Sequence, residues 1–186
     1  MRTLWNRSTT IGIANATCTS CGGLGLVANR EDRQVPCDCA LRAVFRTCLT
    51  GFRECLALSE RTASVSWEPC NGPMGGRVFS RKREEYLADF LRVTERALSK
   101  EEYRIFRFHY LLGADYYLCC QKLQMDRGSF FHAIYRLEEK LGRVYAELEP
   151  YALYPLRDYF GGVAHRDARP ARVLRVPVAD AFPLSA

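Results

Sequence analysis

Between Met125 and Leu141 the sequence reads MDRGSFFHAIYRLEEKL and places Phe130 and Phe131 side by side. Its apolar residues recur at steps of four, three and four, which makes one stripe along a helix: Phe130, Ile134, Leu137 and Leu141. Neighbours on a helix point about 100° apart, so Phe131 cannot share the centre of that stripe. The sequence therefore predicts a helix with Asp126 as its N-cap, Phe130 in the core and Phe131 directed elsewhere.

A second, shorter helix is predicted just before this one, over about residues 115–123. Only the turn Gln124-Met125-Asp126 separates the two, and such a short connection is typical of a helix-turn-helix. In that motif the outward face of the second helix carries the side chains that read bases. Five residues on or beside this face are candidates for DNA binding: Arg127, Ser129, Phe131, His132 and Arg136.

Three roles are open to Phe131. It can contact the methyl groups of thymine in the major groove, or it can dock on a protein. The third role is packing against the aromatic segment 151–160, which is expected to fold back on the helices, because exposed aromatic side chains are usually covered.

Three further helices are predicted from apolar residues at three- and four-residue steps, over about 40–60, 80–98 and 100–112. Ser99 and Glu102 form the sequence signature of a capping box at the start of the last of these, and Gly113 is expected to end it. The helix over 80–98 is predicted to hold three basic residues in its first turn, where their charge opposes the helix dipole. These residues are therefore predicted to contact the phosphates of a partner: Arg81, Lys82 and Arg83.

Four cysteines near the N-terminus form two close pairs, Cys18 with Cys21 and Cys37 with Cys39. Two short-range pairs of thiolates are typical of a tetrahedral zinc site, and the metal replaces the core that so small a segment lacks. The sequence predicts one structural Zn²⁺, because four thiolates leave no open coordination position for catalysis.

The other cysteines and the residues before the first pair have simpler interpretations. Cys48 and Cys55 lie on the apolar face of the predicted helix 40–60 and are expected to be core thiols, with Cys48 as an alternative metal ligand. Cys70, in the predicted loop, is expected to have no role in the site. The apolar residues 11–14 are expected to form one strand or an arm.

The composition of the 186-residue chain, 48% hydrophobic and 26% charged, is that of a globular protein with a core of its own. No apolar run is long enough to span a membrane, and the N-terminus lacks the features of a signal peptide. Nine cysteines, an odd number, favour reduced thiols and a cytoplasmic location. The net charge of +6, mostly from arginine, suits a polyanionic partner.

We predict a mainly α fold, with a small N-terminal zinc-binding module and a helical bundle that contains a helix-turn-helix. The predicted boundaries are a zinc module with its following helix over 1–60, a loop or linker over 61–79, the helical domain over 80–162 and a mobile basic tail over 163–186.

The helical half carries a further pattern. It enters with Leu98-Ser99, its first helix ends in Tyr110-Leu-Leu-Gly113, and its last helix runs from Asp126-Arg-Gly-Ser-Phe130 to Lys140-Leu141. In these features it resembles region 4 of bacterial sigma-70-type factors, and the resemblance implies a helix-turn-helix that binds promoter DNA. Phe131 departs from the pattern, because that family usually has a charged or polar residue facing the groove there, and no region 2 precedes the segment.

The first cysteine pair also resembles a known element. Cys18-Thr-Ser-Cys21-Gly-Gly-Leu-Gly25 fits the C-x-x-C-x-G-x-G knuckle of DnaJ-type chaperones. Only one such repeat is present and the chain has no His-Pro-Asp tripeptide, so chaperone function is not implied. A zinc knuckle beside a helix-turn-helix is also similar, in its list of parts, to phage antiterminators of the Q type.

These observations together favour a non-enzymatic, DNA-binding regulator of transcription of bacterial or prophage type. Double-stranded DNA is the expected partner and RNA polymerase a second one, with neither a membrane nor a small-molecule substrate. The acidic residues Glu138 and Glu139 would repel DNA, so contact is expected mainly from the N-terminal turns of the last long helix. The alternative is a non-catalytic adaptor that binds RNA polymerase or another protein through the helical domain without reading bases.

Overall fold

The computed structural model describes residues 5–63 and 75–161, and of these it describes 61–63 and 75–80 as helical backbone only. This part of the chain is mainly helical and begins with a small two-stranded region that holds a four-cysteine cluster. The predicted fold class is thereby confirmed. The predicted basic tail, 163–186, lies outside the described residues.

The first element is a short helix, α1, Arg7–Ile11, and not the strand or arm expected around 11–14. The side chain of Asn6 accepts a hydrogen bond from the backbone N–H of Thr9, and the Thr9 hydroxyl accepts one from the backbone N–H of Asn6. This reciprocal capping box fixes the start of a helix at Arg7. The cap, and not the apolar residues 11–14, therefore determines the secondary structure here.

Two strands follow and form an antiparallel hairpin, β1 Leu26–Ala28 and β2 Gln34–Pro36. Leu26 pairs with Pro36, Val27 with Val35 and Ala28 with Gln34. The sequence did not predict these strands, because three-residue strands are too short to show an alternating pattern.

Two long helices form the centre of the molecule, α2 Asp38–Ala63 and α6 Arg127–Glu147. They touch closely where Gly142 of α6 faces Leu41 of α2, since a Cβ at Gly142 would overlap the Leu41 carbonyl. Phe45 and Tyr145 stack in the adjoining core with ring centroids 6.3 Å apart, and both rings are fully buried.

The helix α3, Gly75–Ala97, packs on this pair. The Tyr86 hydroxyl donates to the Cys48 carbonyl at 3.0 Å, and the Thr94 and Tyr145 hydroxyls are 2.5 Å apart. Helix α2 ends at Ala63 and α3 begins at Gly75, so both helices extend into the loop predicted over 61–79. The part of that loop between them, 64–74, lies outside the described residues. Because α3 begins at Gly75, the basic residues at 81–83 lie beyond its first turn, contrary to prediction.

The helix predicted over 100–112 is divided into α4, Lys100–Phe106, and a widened π-helical turn, Arg107–Leu111. The predicted capping box is present: Ser99 accepts from the Glu102 backbone N–H at 3.2 Å, and Glu102 accepts from the Ser99 backbone N–H at 2.8 Å. Gly113 has a φ of 68° and ends the segment as expected.

The chain after α6 returns to the bundle, as predicted. The backbone N–H of Leu153 donates to the Tyr145 carbonyl at 2.9 Å, and Leu153 is fully buried. The last helix, α7 Leu156–Gly161, then places Tyr159 and Phe160 against the ring of Tyr86. Among the described helices, none combines the length and apolar character needed to cross a membrane.

Candidate metal centre and candidate nucleic-acid interface

The loop that carries Cys18 and Cys21 turns back on itself within a few residues. The backbone N–H of Gly22 donates to the Cys18 carbonyl at 2.9 Å, and that of Leu24 donates to the Cys21 carbonyl at 3.0 Å. Gly22 and Gly23 have φ angles of 56° and 84°, a left-handed conformation that glycine adopts at little cost. This local geometry directs both sulfurs to the same side of the loop.

Gly25 brings the second cysteine pair to the first. Its carbonyl accepts from the Cys37 backbone N–H at 2.9 Å, which ties the end of the hairpin to the loop. Its φ is 73°, and a Cβ there would lie 2.7 Å from the Thr10 carbonyl oxygen, so helix α1 can pack directly on it. Thr10 also donates its hydroxyl to the Leu24 carbonyl at 2.9 Å.

The four predicted sulfurs, those of Cys18, Cys21, Cys37 and Cys39, lie within 4.8 Å of one another. The Sγ atoms of Cys18 and Cys37 are 3.8 Å apart, and those of Cys21 and Cys39 are 3.6 Å apart. A tetrahedron of sulfurs around a metal at about 2.3 Å has edges of about 3.8 Å. The cluster can therefore bind one metal ion.

The surroundings of the cluster lower the pKa of one of its thiols and raise the pKa of two others. Hydrogen bonds from the backbone N–H groups of Cys21 and Ser20 lower the pKa of Cys18 to about 6. Burial raises the pKa of Cys37 to about 12 and raises the pKa of Cys39 as well. A bound cation would stabilise the thiolate form of all four, so metal binding is expected to release protons.

Cys48 is not part of this cluster. Its side chain is fully buried among the helices, and its sulfur is 3.8 Å from the carbonyl oxygen of Leu153. Cys55 is likewise buried in the helical core. Both are core thiols, as the sequence predicted, whereas Cys70 lies outside the described residues.

The predicted pair of helices is present, as α5 Tyr116–Leu123 and α6. Asp115 caps α5 by accepting from the Leu118 backbone N–H at 2.8 Å. The chain leaves α5 through Gln124, which has the left-handed angles φ 53° and ψ 46°. Two residues later Asp126 caps α6 by accepting from the Ser129 backbone N–H at 3.0 Å, so residues 124–126 form the whole connection.

The apolar stripe predicted for α6 faces the core. Phe130, Leu137 and Leu141 are fully buried and Ile134 nearly so. The Phe130 ring meets the imidazole of His109 edge to face at 5.5 Å. The imidazole Nδ1 of His109 in turn lies 3.0 Å from the Ala114 carbonyl oxygen. Phe130 thus connects α6 to the widened turn before α5.

Four of the five predicted contact residues on α6 are exposed: Arg127, Ser129, His132 and Arg136. With Ala133, the last three of them line a shallow depression on the helix surface. The Ser129 hydroxyl donates to the Asp126 carboxylate at 2.5 Å, so its donor is already used in the cap.

Phe131 is half-buried and packs within the helix pair. Its ring centroid lies 5.9 Å from that of Tyr116 and 5.6 Å from that of Phe130. Packing against segment 151–160, one of the three predicted roles, was wrong, because Tyr116 of α5 provides the cover for this ring. The guanidinium of Arg127 lies over both aromatic rings, 5.3 Å from the Tyr116 centroid and 5.8 Å from the Phe131 centroid.

The adjacent acidic residues Glu138 and Glu139 of α6 face α2. The Glu138 carboxylate is buried, accepts from Arg46 at 3.0 Å and from the Tyr110 hydroxyl at 2.9 Å. Glu139 is half-buried and lies 3.8 Å from Arg42. Both negative charges therefore have a positive partner on α2, which reduces the repulsion of DNA that the sequence predicted.

Two of the basic residues predicted to meet phosphates, Arg81 and Lys82 of α3, have partners in α3 and α7. Arg81 pairs with Glu85 at 3.1 Å, and the Lys82 amine donates to the Phe160 carbonyl at 3.4 Å. Arg83 is half-buried. Within residues 5–60 and 81–161, no hydrogen bond, ion pair or cation–π contact joins these three residues to the outward face of α6.

Sequence reasoning missed two residues beside the α6 surface. Tyr116 supplies a ring beneath Arg127, and Arg42 of α2 lies over the ring of Tyr135 at 5.2 Å. Both contacts join different helices, so neither leaves a signal in the spacing of residues along the chain.

Compared with protein-family models, with curated proteins and with solved structures, the chain gives no significant match. The four-cysteine cluster and the α5–α6 pair are the features of the chain that bear on its function.

Proposed function

We propose that this protein is a DNA-binding regulator of transcription, of bacterial or prophage type, that inserts the N-terminal turns of α6 into the major groove. One observation carries the proposal. Arg127, His132 and Arg136 stand in solvent on α6, while Phe130 on the same turns is fully buried and fixes the helix on the bundle. A rigid, exposed, basic helix face after a three-residue turn is the arrangement that reads base edges.

The contacts of α2 favour the same surface. Because Arg46 and Arg42 neutralise Glu138 and Glu139, the positive charge of Arg136 is not opposed by free carboxylates one turn further along. Arg81, which keeps 82% of its side chain exposed, and its neighbours Lys82 and Arg83 are proposed to meet backbone phosphates in a secondary role.

We propose Zn²⁺ as the ion of the four-cysteine cluster. Four thiolates at these separations suit tetrahedral zinc, and with four protein ligands the ion has no open position for water. Its role is then structural: it would hold the loop 18–25 and the hairpin against α1 and the start of α2. A reduced cytoplasm is the compartment in which such thiols stay available to a metal. We accordingly propose a protein without catalytic activity.

Binding to a random-sequence DNA duplex tests the proposed function. The unaltered protein should bind at about 50 mM salt and lose affinity steeply toward about 200 mM, because cations are released from the phosphates. Combining Arg127→Ala with Arg136→Ala should weaken binding at least about ten-fold, since a hydrogen bond to a charged group contributes about 1.5 kcal/mol or more.

Arg157→Ala removes one positive charge and is the control for Arg136→Ala alone, which also removes one. Arg157 lies on α7 and lines the same cavity as Ala146, a residue near the end of α6. Ala146 is 19 residues after Arg127 in α6, about 28 Å along the axis of that helix. This variant should bind DNA nearly as well as the unaltered protein. An equal loss in both variants would show that only net charge matters and would count against a groove-binding α6.

A second function is favoured by the exposed apolar surface of α5. Tyr116, Tyr117 and Leu118 expose 44%, 68% and 42% of their surface, which is unusual for three successive residues of one helix. The alternative is an adaptor that docks this surface on RNA polymerase or another protein without base readout. Failure to bind duplex DNA at low salt, together with direct binding of purified RNA polymerase that Tyr117→Ser abolishes, would favour the adaptor.

A further inference from the structure

The guanidinium of Arg127 rests on an aromatic platform built from two helices. Tyr116, the first residue of α5, and Phe131, in the second turn of α6, place their rings 5.9 Å apart, and the Arg127 carbon Cζ lies over both. A cation over an aromatic face is attracted by the electrons of the ring, and arginine does this with its flat side.

This arrangement leaves the hydrogen-bond donors of Arg127 available. They lie in the plane of the guanidinium, so stacking on a ring does not use them. Within the described parts of the chain, Arg127 makes no hydrogen bond or ion pair, and its side chain is exposed. The residue is thus held in place by its face while its edge points to solvent.

We infer that Tyr116 is a positioning residue that holds Arg127 as a preformed clamp for a DNA phosphate. This inference rests on the proposed function and deepens it. A flexible arginine loses side-chain freedom when it binds a phosphate, and a ring that restricts the side chain beforehand reduces that loss. We assign a phosphate and not a base edge to Arg127 because it is the first residue of α6, at the rim of the proposed groove-facing surface, and its two parallel N–H donors match two phosphate oxygens.

The α5 helix supplies a matched pair of variants. Tyr116→Leu removes the ring beneath Arg127 and keeps an apolar side chain, whereas Tyr117→Leu removes the neighbouring ring, which is more exposed and has no recorded ring contact among residues 81–161. Tyr116→Phe keeps the ring and removes only the hydroxyl. Thermal melts by circular dichroism would verify that all three variants are folded.

The measurement is affinity for a random-sequence duplex at about 50 mM salt. Tyr116→Leu should weaken binding about two- to five-fold, the range of a cation–π contact at an exposed site, while Tyr117→Leu and Tyr116→Phe should leave it unchanged. In an Arg127→Ala background, Tyr116→Leu should have no further effect, because the residue that it positions is gone.

A second readout reports on Arg127 without DNA. In the unaltered protein, the heteronuclear NOE of the Arg127 Nε–H group should indicate an ordered side chain, and Tyr116→Leu should lower it toward the value of a free arginine. Equal affinity losses for Tyr116→Leu and Tyr117→Leu would overturn this inference but not the proposed function. So would a loss on Tyr116→Leu that persists in the Arg127→Ala background. A protein that does not bind duplex DNA at low salt would overturn the proposed function and, with it, the phosphate as ligand.

Discussion

Gly142 lies so close to Leu41 that no side chain fits between α6 and α2 at this point. A Cβ at Gly142 would overlap the backbone carbonyl of Leu41, which cannot move aside as the end of a flexible side chain could. The contact brings together the helix that starts at the cysteine cluster and the helix proposed to read DNA.

Gly142→Ala should therefore destabilise the protein, although alanine is the better helix former. Overpacking of a core typically costs about 1–3 kcal/mol of stability. Because the Cβ would meet backbone atoms, the cost for Gly142→Ala should lie at the upper end of this range or above it. Urea unfolding monitored by circular dichroism gives the free energy directly.

Gly128 provides the control within the same helix. A Cβ there would lie 3.2 Å from a carboxylate oxygen of Asp126, an exposed side chain that can shift slightly. Gly128→Ala should change stability by less than about 1 kcal/mol in either direction. If Gly142→Ala is equally mild, the two central helices are not in the close contact described above.

The ion pair between Glu102 and Lys140, 2.7 Å apart, predicts a pH dependence of stability. Partial burial raises the pKa of Glu102, but hydrogen bonds from Lys140 and from the Ser99 backbone N–H outweigh it, so the pKa lies below its ordinary value of 4.5. A carboxylate with a lowered pKa in the folded state stabilises the fold above 4.5, and that contribution is lost as the pH falls through the folded-state pKa.

Glu102→Gln should accordingly be less stable than the unaltered protein at neutral pH, by about 1 kcal/mol or less, since the pair is partly exposed. The difference between the two proteins should shrink as the pH falls below 4.5. Comparing the two cancels the effect of acid on the cysteine cluster. Glu101→Gln, at the exposed neighbouring residue, should change the stability at neutral pH by less than Glu102→Gln does.

Removal of one cluster thiol should greatly weaken metal binding. Freshly reduced protein is expected to contain about one zinc per chain, and Cys21→Ser should lose most of it, because a closed four-ligand site is not completed by three thiolates. Elemental analysis after gel filtration measures the ratio. Cys48→Ser is the control: this thiol is in the helical core and not in the cluster, so the variant should retain its zinc. Unaltered, reduced protein without metal would contradict the prediction.

The features that sequence predicted well are those that depend on neighbours along the chain. Asp126 and Ser99 are N-caps because their side chains reach backbone N–H groups three residues away, and Phe130 is buried because the apolar spacing of α6 is regular. The cysteine cluster belongs to the same class, since its two pairs are short and metal geometry requires them to meet.

The features that sequence did not predict depend on contacts between distant segments. The ring of Tyr116 beneath Arg127, the pairing of Glu138 with Arg46 and the need for glycine at 142 all require the packing of one helix on another. The π-helical turn at 107–111 is similar: its residues have good helical spacing, and nothing local indicates that the turn widens.

Truncation of the two adjacent phenylalanines of α6 should destabilise the protein to different extents. Phe130 is fully buried, so Phe130→Ala should destabilise the protein by about 3–5 kcal/mol through the cavity that it leaves. Phe131 is half-buried against Tyr116, so Phe131→Ala should cost clearly less stability. Urea unfolding of both variants measures the difference, and the DNA affinity of the folded Phe131→Ala protein should fall because Arg127 loses one of its two rings. Equal destabilisation by the two substitutions would mean that Phe131 belongs to the core, and that the outward face of α6 lies elsewhere.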